Sequence, residues 1–374
     1  MEKIYNKGRQ IQFHGLKLAK KQQLTKNTFA LEFDVPDSLK SAFHFNAGQY
    51  LPIQYNFQGE SYINDYSLTS APFEDKWTIA VKVNSYQSSV QGLVETPVGA
   101  DVMVGEPQGR FTLESKPHEF RTILGFAAGI GITPILSHFK NILHNEPRTR
   151  LFLFYGNQTY DDIAFREEID TLAKHFESRF QVFYFISREE TRDHLLFGRL
   201  DDKKLKLIIN QILHLDDTDE ESTIWDAVDE VLICGKGEMI KTLANACFEN
   251  GIPKRNIHFE LFEEFNDDIY PQEVDFPLIT DIDVDFKILG TSYQTKLPTN
   301  KTRLLQQLLA QGFPVPYSCK SGICGSCECR LIEGDVELLE NEYLTEREVA
   351  KGNILACMSV VLSKHIKINF DLVG

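Results

Sequence analysis

Pro316-Tyr317-Ser318-Cys319-Lys320-Ser321-Gly322-Ile323-Cys324-Gly325-Ser326-Cys327 carries three cysteines in the spacing Cys-x4-Cys-x2-Cys, and a fourth, Cys357, follows after 29 further residues. Two irons bridged by two sulfides need four thiolates, two for each iron. A tight loop lets three of them converge while backbone N–H groups turn toward the sulfurs, and Gly322 and Gly325 supply the freedom such a loop needs. A zinc site and unmetallated thiols are the other readings of these residues. The chain has seven cysteines, an odd number, with four of them between 319 and 329, which is a poor disulfide pattern and a good metal pattern. Cys329 and Cys247 are expected in the core rather than on the metal.

Working outward, Val284, Phe286 and Ile288 alternate before the loop, Leu304, Leu305 and Leu308 share one side of a short helix, and Ile366, Ile368, Phe370 and Leu372 alternate at the end. Further upstream the pattern changes. Thr122–Ala127, Leu151–Tyr155, Val182–Ile186 and Glu230–Cys234 are apolar runs separated by helical stretches, which predicts a parallel α/β sheet. Ile135, Leu136, Phe139, Ile142 and Leu143 line one face of a helix with Pro134 in its first turn. The first third alternates with period two, as in Phe29, Leu31, Phe33, Val35 and in Leu51, Ile53, Tyr55, Phe57, between Gly, Pro and Asn, and this predicts a small antiparallel β-barrel. The expected layout is a barrel domain at 1–115, an α/β domain at 116–263, an acidic linker at 264–280 and an α+β domain at 281–374. A length of 374 residues suits two or three domains.

The net charge of −15 excludes an ordinary nucleic-acid binder. Residues 214–230 hold eight acids and residues 263–285 hold nine, with no Lys or Arg in either, so the rest of the chain sums to +2. These runs are solvated loops and a linker, or an acidic docking surface for a basic partner. Met1-Glu2-Lys3-Ile4-Tyr5-Asn6-Lys7 has no apolar run behind its charges, and no stretch of about 18 apolar residues exists, so a cytoplasmic protein without a membrane span is expected.

Gly129-Ile130-Gly131-Ile132-Thr133-Pro134 follows a strand and opens a helix, where a pyrophosphate can approach backbone N–H groups. Tyr155-Gly156-Asn157 and Cys234-Gly235-Lys236-Gly237-Glu238-Met239 also stand at strand ends. In this order the three segments resemble the NAD(P) domain of the ferredoxin–NADP reductase superfamily. The cysteine loop resembles plant-type ferredoxins, and Tyr66-Ser67-Leu68-Thr69-Ser70 resembles the superfamily's flavin-binding segment. His258-Phe259-Glu260-Leu261-Phe262 resembles its terminal Glu-x-Phe, and His194–Leu200 resembles a segment of oxygenase reductases.

The resemblance implies a flavin barrel, an NAD(P) domain and a β-grasp ferredoxin domain, in the manner of reductases of bacterial multicomponent oxygenases. By it, Cys319, Cys324, Cys327 and Cys357 hold a [2Fe–2S] cluster. Gly129, Gly131, Ile132, Thr133 and Pro134, with Gly156, Asn157, Gly235 and Met239, surround the dinucleotide. Cys234 lies near the nicotinamide, with Glu260 beside it and the flavin. Tyr66 stacks on the isoalloxazine and Ser67 reaches its N5, with Leu68 and Thr69 in the same segment. Ser187 and Arg188 stand where NADPH-using members hold a 2′-phosphate, which favours NADPH over NADH. The sequence departs from the family at Asn64, where the Arg that pairs with the flavin phosphate belongs, and at Tyr86-Gln87-Ser88-Ser89 in place of a GxxS phosphate loop. Lys82 or Arg110 could compensate. FAD is expected rather than FMN. The implied activity is NAD(P)H-dependent electron transfer through flavin to the cluster and then to a protein acceptor such as an oxygenase component, with no side chain acting as nucleophile. The rival readings are a diaphorase acting on small quinones and a flavin-deficient, ferredoxin-bearing binding module.

Overall fold

The computed structural model describes residues 11–84, 88–190, 193–212, 224–263, 265, 267–270, 275–317 and 320–372. By its contacts the chain divides into two compact units that separate between Phe262 and Glu263.

The first unit begins with six antiparallel strands, β1 (Phe13–Thr25), β2 (Thr28–Asp34), β3 (Tyr50–Phe57), β4 (Glu60–Ser67), β5 (Trp77–Lys82) and β6 (Asp101–Gly105). Helix α1 (Val90–Glu95) lies between the last two. The strand order is β4-β3-β6-β1-β2-β5, and pairing of Leu68 with Ile79 joins the outer strands into a barrel. Leu31, Phe33, Leu51, Ile53, Ile79 and Val81 all point into its core, as the period-two alternation requires. Gln58 and Gly59 both have positive φ, 51° and 85°, which is the two-residue turn that matches strand twist between β3 and β4.

A parallel sheet follows: β7 (Thr122–Ala128), α2 (Ile132–Asn145), β8 (Arg150–Asn157), α3 (Arg166–His175), β9 (Phe180–Ile186), α4 (Asp202–Ile212), β10 (Glu230–Gly235), α5 (Gly237–Glu249) and β11 (Ile257–Leu261). Its order is β11-β10-β7-β8-β9, all parallel. The chain steps from β7 out to β9 and then crosses over to place β10 on the other side of β7. That reversal opens a crevice at the carboxyl ends of β7 and β10, the place where open α/β sheets bind ligands. Helix α2 lies close on the sheet because Gly125 has no side chain: a Cβ there would come within 2.5 Å of the Phe139 ring.

The barrel and the sheet are tied together within this unit. Ser137 Oγ donates to Ser70 O at 2.7 Å, and Lys140 Nζ pairs with Glu74 at 2.7 Å. His138 Nε2 donates to Phe111 O at 2.8 Å, and burial pushes this imidazole down to about 4, so the ring is neutral at ordinary pH.

The second unit holds β12 (Thr280–Ile288), β13 (Thr291–Thr299), α6 (Leu304–Ala310), β14 (Glu328–Glu333), β15 (Val336–Leu338), α7 (Glu346–Ala350), β16 (Asn353–Leu355), β17 (Ser359–Val361) and β18 (His365–Asn369). Its sheet runs β13-β12-β18-β14-β16, and β15 pairs separately with β17. Strands β12 and β18 are parallel and the other pairs antiparallel. Leu304, Leu305 and Leu308 of α6 pack on Val284, Phe286 and Ile366, so the helix lies across a mixed sheet in a β-grasp arrangement.

The acidic runs differ from solvated loops where they are described. Asp229 accepts from Thr122 N at 2.7 Å, and Glu230 accepts from His258 at 2.8 Å. Of the run expected as a linker, Asp268 is ion-paired with Arg303, Ile269 and Tyr270 are buried, and Pro277 O accepts from Asn300 Nδ2 at 2.9 Å. The stretch is held on the second unit because Asp268 finds a cation and Ile269 and Tyr270 find cover there. Residues 213–223 and 271–274 lie outside the described residues. Among the described residues, no helix is long and apolar enough to cross a membrane.

Candidate functional site

The two glycine turns meet at the switch point of the parallel sheet. Gly129 leaves β7 with φ +53°, a conformation an L side chain adopts at a cost, and its carbonyl accepts from Tyr155 Oη at 2.9 Å. A Cβ on Gly131 would come within 2.3 Å of Cys234 O, so only glycine lets this turn lie against the end of β10. The turn then opens α2, whose first turn has no acid and no side-chain cap. Thr133 Oγ1 donates back to Ile130 O at 3.0 Å, and Ile132 and Pro134 are buried beneath it. The result is a bare, positive helix end facing a glycine surface, which suits a pyrophosphate. The Lys82 ammonium reaches over the turn: a Cβ on Gly129 would stand 4.0 Å from Lys82 Nζ. Across the crevice, Met239 folds over Gly235, where a Cβ would meet its Cε at 2.6 Å. Gly156 and Asn157 end β8, and Asn157 O accepts from Ser187 N and Ser187 Oγ at 3.1 and 3.3 Å. Arg188 N donates to Gln158 O at 2.9 Å, so the exits of β8 and β9 are stitched together.

The barrel contributes the other wall. Ser67 ends β4 and donates from Oγ to Glu260 Oε2 at 3.1 Å, across 193 residues of sequence. Glu260 pairs in register with Cys234 on the neighbouring strand. Burial, with the Glu260 charge beside it, pushes the Cys234 thiol well above its usual value. It is therefore a neutral thiol, unsuited to nucleophilic attack. Burial and then the neighbouring Tyr55 phenol likewise push the Tyr66 phenol up, so it stays a neutral donor. Tyr55 Oη is the hub here, 3.2 Å from Tyr66 Oη, 3.4 Å from Ser89 Oγ and within 2.5 Å of Asn64 Nδ2. In the sequence Tyr55 is only one member of a strand's alternation, and no local signal marks it otherwise. Leu68 and Thr69 belong to barrel closure: Leu68 N donates to Gln49 O at 2.9 Å, and Thr69 Oγ1 to Thr78 O at 3.1 Å. Ser88 accepts at its carbonyl from Gln91 N at 2.9 Å, which starts α1. Tyr86 and Gln87 lie outside the described residues, and Arg110 is exposed.

In the second unit the cysteine loop is drawn tight by positive φ at Lys320 (56°), Gly322 (77°) and Gly325 (67°). Gly325 is required sterically, since a Cβ there would come within 2.2 Å of the Tyr343 ring. Cys327 and Cys357 are buried together, with Cys357 N donating to Cys327 Sγ at 3.4 Å. Cys324 is half-buried and its thiol lies 3.3 Å from Ser326 Oγ. Cys319 lies outside the described residues. Among the described residues, no three His, Cys, Asp or Glu side chains are gathered as a mononuclear metal site would gather them. Cys329 and Cys247 are fully buried in hydrophobic surroundings, as expected of spare cysteines. Two soft thiols, Cys324 and Cys327, on a loop turned by two glycines, with Cys357 buried against Cys327, fit an iron–sulfur cluster. The glycine crevice fits a dinucleotide, and the hydroxyl-rich barrel flank fits a flavin through neutral donors.

Three family models match the chain: an oxidoreductase FAD-binding domain over residues 15–113, an oxidoreductase NAD-binding domain over 126–245 and a 2Fe-2S iron-sulfur cluster binding domain over 286–362. The chain is 28% identical to a subunit of the 1,2-phenylacetyl-CoA epoxidase of Escherichia coli, over 97% of this chain and 99% of that one. It is 29% identical to the ferredoxin reductase component of 3-ketosteroid-9-alpha-monooxygenase from Rhodococcus rhodochrous, over 92% and 93%. Among solved structures, an intact type IV self-sufficient cytochrome P450 monooxygenase matches with a TM-score of 0.57 at 19% identity, over 95% of this chain and 41% of that one. The CS-b5R domains of human Ncb5or match with a TM-score of 0.56 at 20% identity, over 68% and 71%. These two likenesses concern the fold alone. With its FAD-binding, NAD-binding and [2Fe–2S] domains in this order, the chain belongs to the ferredoxin–NADP reductase superfamily, as a member with a C-terminal plant-type ferredoxin domain.

Proposed function

We propose that this chain takes electrons from NADPH at the crevice between barrel and parallel sheet, passes them through FAD to its own [2Fe–2S] cluster, and delivers them to an oxygenase component. The observation that carries the reading is the 3.1 Å hydrogen bond from Ser67 to Glu260, which brings the flavin segment and the end of the nicotinamide sheet to one point. When bound, the flavin supplies hydride acceptance and the cluster single-electron transfer, chemistry that no side chain here provides. The side chains bind and orient. Tyr66 and Ser67 form the flavin wall, with Asn64, Ser88 and Ser89 toward its phosphate. Gly129, Gly131 and the N-terminal turn of α2 take the pyrophosphate, and Glu260 holds the Ser67 hydroxyl in place. Cys234 fills the floor as a neutral thiol. Cys319, Cys324, Cys327 and Cys357 take the irons.

Arg188 at the exit of β9 supports NADPH over NADH. The names of the relatives, part of an epoxidase and the ferredoxin reductase component of a monooxygenase, support an oxygenase partner. A cytoplasmic setting belongs to the same reading. The working boundaries are 1–115, 116–263, 264–280 and 281–374.

The test is the visible spectrum of anaerobically purified protein before and after NADPH. Flavin and cluster bands that both bleach support the proposal. Cluster bands that do not respond to NADPH, even after FAD is added, would sink it.

Lys82 gives a second test. Its ammonium stands over the Gly129 turn, so its charge acts on the dinucleotide pyrophosphate. Lys82→Ala is expected to raise KM for NADPH about tenfold with kcat within about twofold, the loss of one charge-assisted hydrogen bond. Release of FAD at unchanged KM would place Lys82 on the flavin phosphate instead.

A further inference from the structure

Arg303 immediately precedes α6 and is 3% exposed. Its Nη1 lies 3.2 Å from Cys357 O and 3.0 Å from Met358 Sδ, with a longer 3.5 Å contact to Lys320 O. Lys320 adjoins Cys319 in sequence, so one guanidinium spans the two chain segments that bear the first and last proposed thiolates. Its Nη2 is ion-paired with Asp268, which also accepts from Gln306 Nε2 at 2.8 Å. The Asp268 side chain is 21% exposed and that of Arg303 is 4% exposed. The cation thus sits on the buried side, against the cysteine segments, and the carboxylate on the side nearer solvent.

We propose that Arg303 and Asp268 are positioning residues that together set the reduction potential of the cluster. Reduction adds one negative charge to the cluster. A fixed cation in a poorly polarisable interior lowers the cost of that charge, and a carboxylate raises it. Hydrogen bonds to the carbonyls of a ligand loop act in the same way as other partners lying just beyond the ligands. The two charges do not cancel at the cluster, because the guanidinium touches the ligand segments and the carboxylate lies behind it. Removing either member therefore moves the potential in opposite directions, whereas a purely mechanical brace would respond in the same way to the loss of either half.

The inference rests on Cys319, Cys324, Cys327 and Cys357 being the ligands. Its test is an anaerobic redox titration of the full-length holoprotein, followed by cluster absorbance and by the electron paramagnetic resonance of the reduced form. Arg303→Met is expected to lower the potential and Asp268→Asn to raise it. Each should change the reduced-to-oxidised ratio at the wild-type midpoint by about tenfold. The double variant should fall between them. Shifts of the same sign in both single variants, or none, overturn the proposal. Should Arg303→Met fail to hold a cluster, Asp268→Asn decides alone: a raised potential supports the proposal, and an unchanged or lowered one overturns it. A wild-type chain with no plant-type cluster spectrum would strike the ligand assignment itself, and this inference with it.

Discussion

Cys324→Ser is expected to cut electron delivery to a one-electron protein acceptor such as cytochrome c by roughly a hundredfold or more, while NADPH-dependent ferricyanide reduction stays within about twofold of wild type. The choice of Cys324 follows from its setting. Cys327 and Cys357 are buried in the core of the second unit, where a hydroxyl would lose packing as well as a ligand. Cys324 is half-buried on the loop and already has a hydroxyl neighbour in Ser326, so serine there leaves the fold in place. The residues proposed to hold the flavin, and the crevice, lie in the other compact unit and are unchanged. The measurement is a pair of steady-state assays on one preparation, with the cluster spectrum recorded beside them. Cytochrome c reduction that survives loss of the cluster would mean that the flavin serves the acceptor directly, and the diaphorase reading would replace the present one.

What the sequence makes legible here is local chemistry. The cysteine loop can be read because its proposed ligands lie a few residues apart and two glycines betray its turns. The turn at Gly129 can be read for the same reason. Ser67 and Glu260 are different: they meet across 193 residues, and only resemblance to a family pointed to both. Tyr55 and Arg303 carried no signal at all. Tyr55 becomes a hydroxyl hub through cross-strand neighbours, and Arg303 becomes a buried cation because Asp268 folds back onto it. The acidic stretch illustrates the limit of composition. Its charge predicts solvation, yet pairing with Arg303 and the burial of Ile269 and Tyr270 bind its described part to the second unit. Lys82 could be read from the sequence only as a cation available to a phosphate, and its place over the Gly129 turn depends on where β5 ends relative to α2.

The largest effect on stability is expected at Glu146, at the end of the parallel sheet opposite the crevice. Arg121 leads into β7 and Glu146 follows α2. Their side chains are 2% and 0% exposed, with Arg121 Nη2 2.7 Å from Glu146 Oε1. Thr149 Oγ1 and Lys116 N also donate to this carboxylate, at 2.7 and 3.1 Å. Burial alone would push the Glu146 carboxyl up, but Arg121, Thr149 and the Lys116 N–H together hold it below its ordinary value. A buried pair of this kind contributes little net stability as a pair, yet removing one member strands the other charge in the interior. Glu146→Gln is therefore expected to cost about 3–5 kcal/mol. In a unit of this size that lowers the thermal midpoint by roughly 10 °C. Replacing both members, as Arg121→Met with Glu146→Leu, should recover most of the loss, since no charge is then left unpaired. The chain's two tryptophans, Trp77 and Trp225, both lie in this unit, so their fluorescence reports its unfolding in the full-length protein. The pH dependence carries the sign. A carboxylate held below its unfolded value stabilises the fold above that value and stops doing so as pH falls through the depressed one. The gap between wild type and Glu146→Gln should accordingly be full at pH 7 and narrow as pH falls through the carboxylate range. A gap that does not change with pH would mean that Glu146 acts through packing and not through its charge. Because the pair lies away from the crevice, kcat below the unfolding transition should stay near wild type in either case, which separates this support of the scaffold from the chemistry it carries.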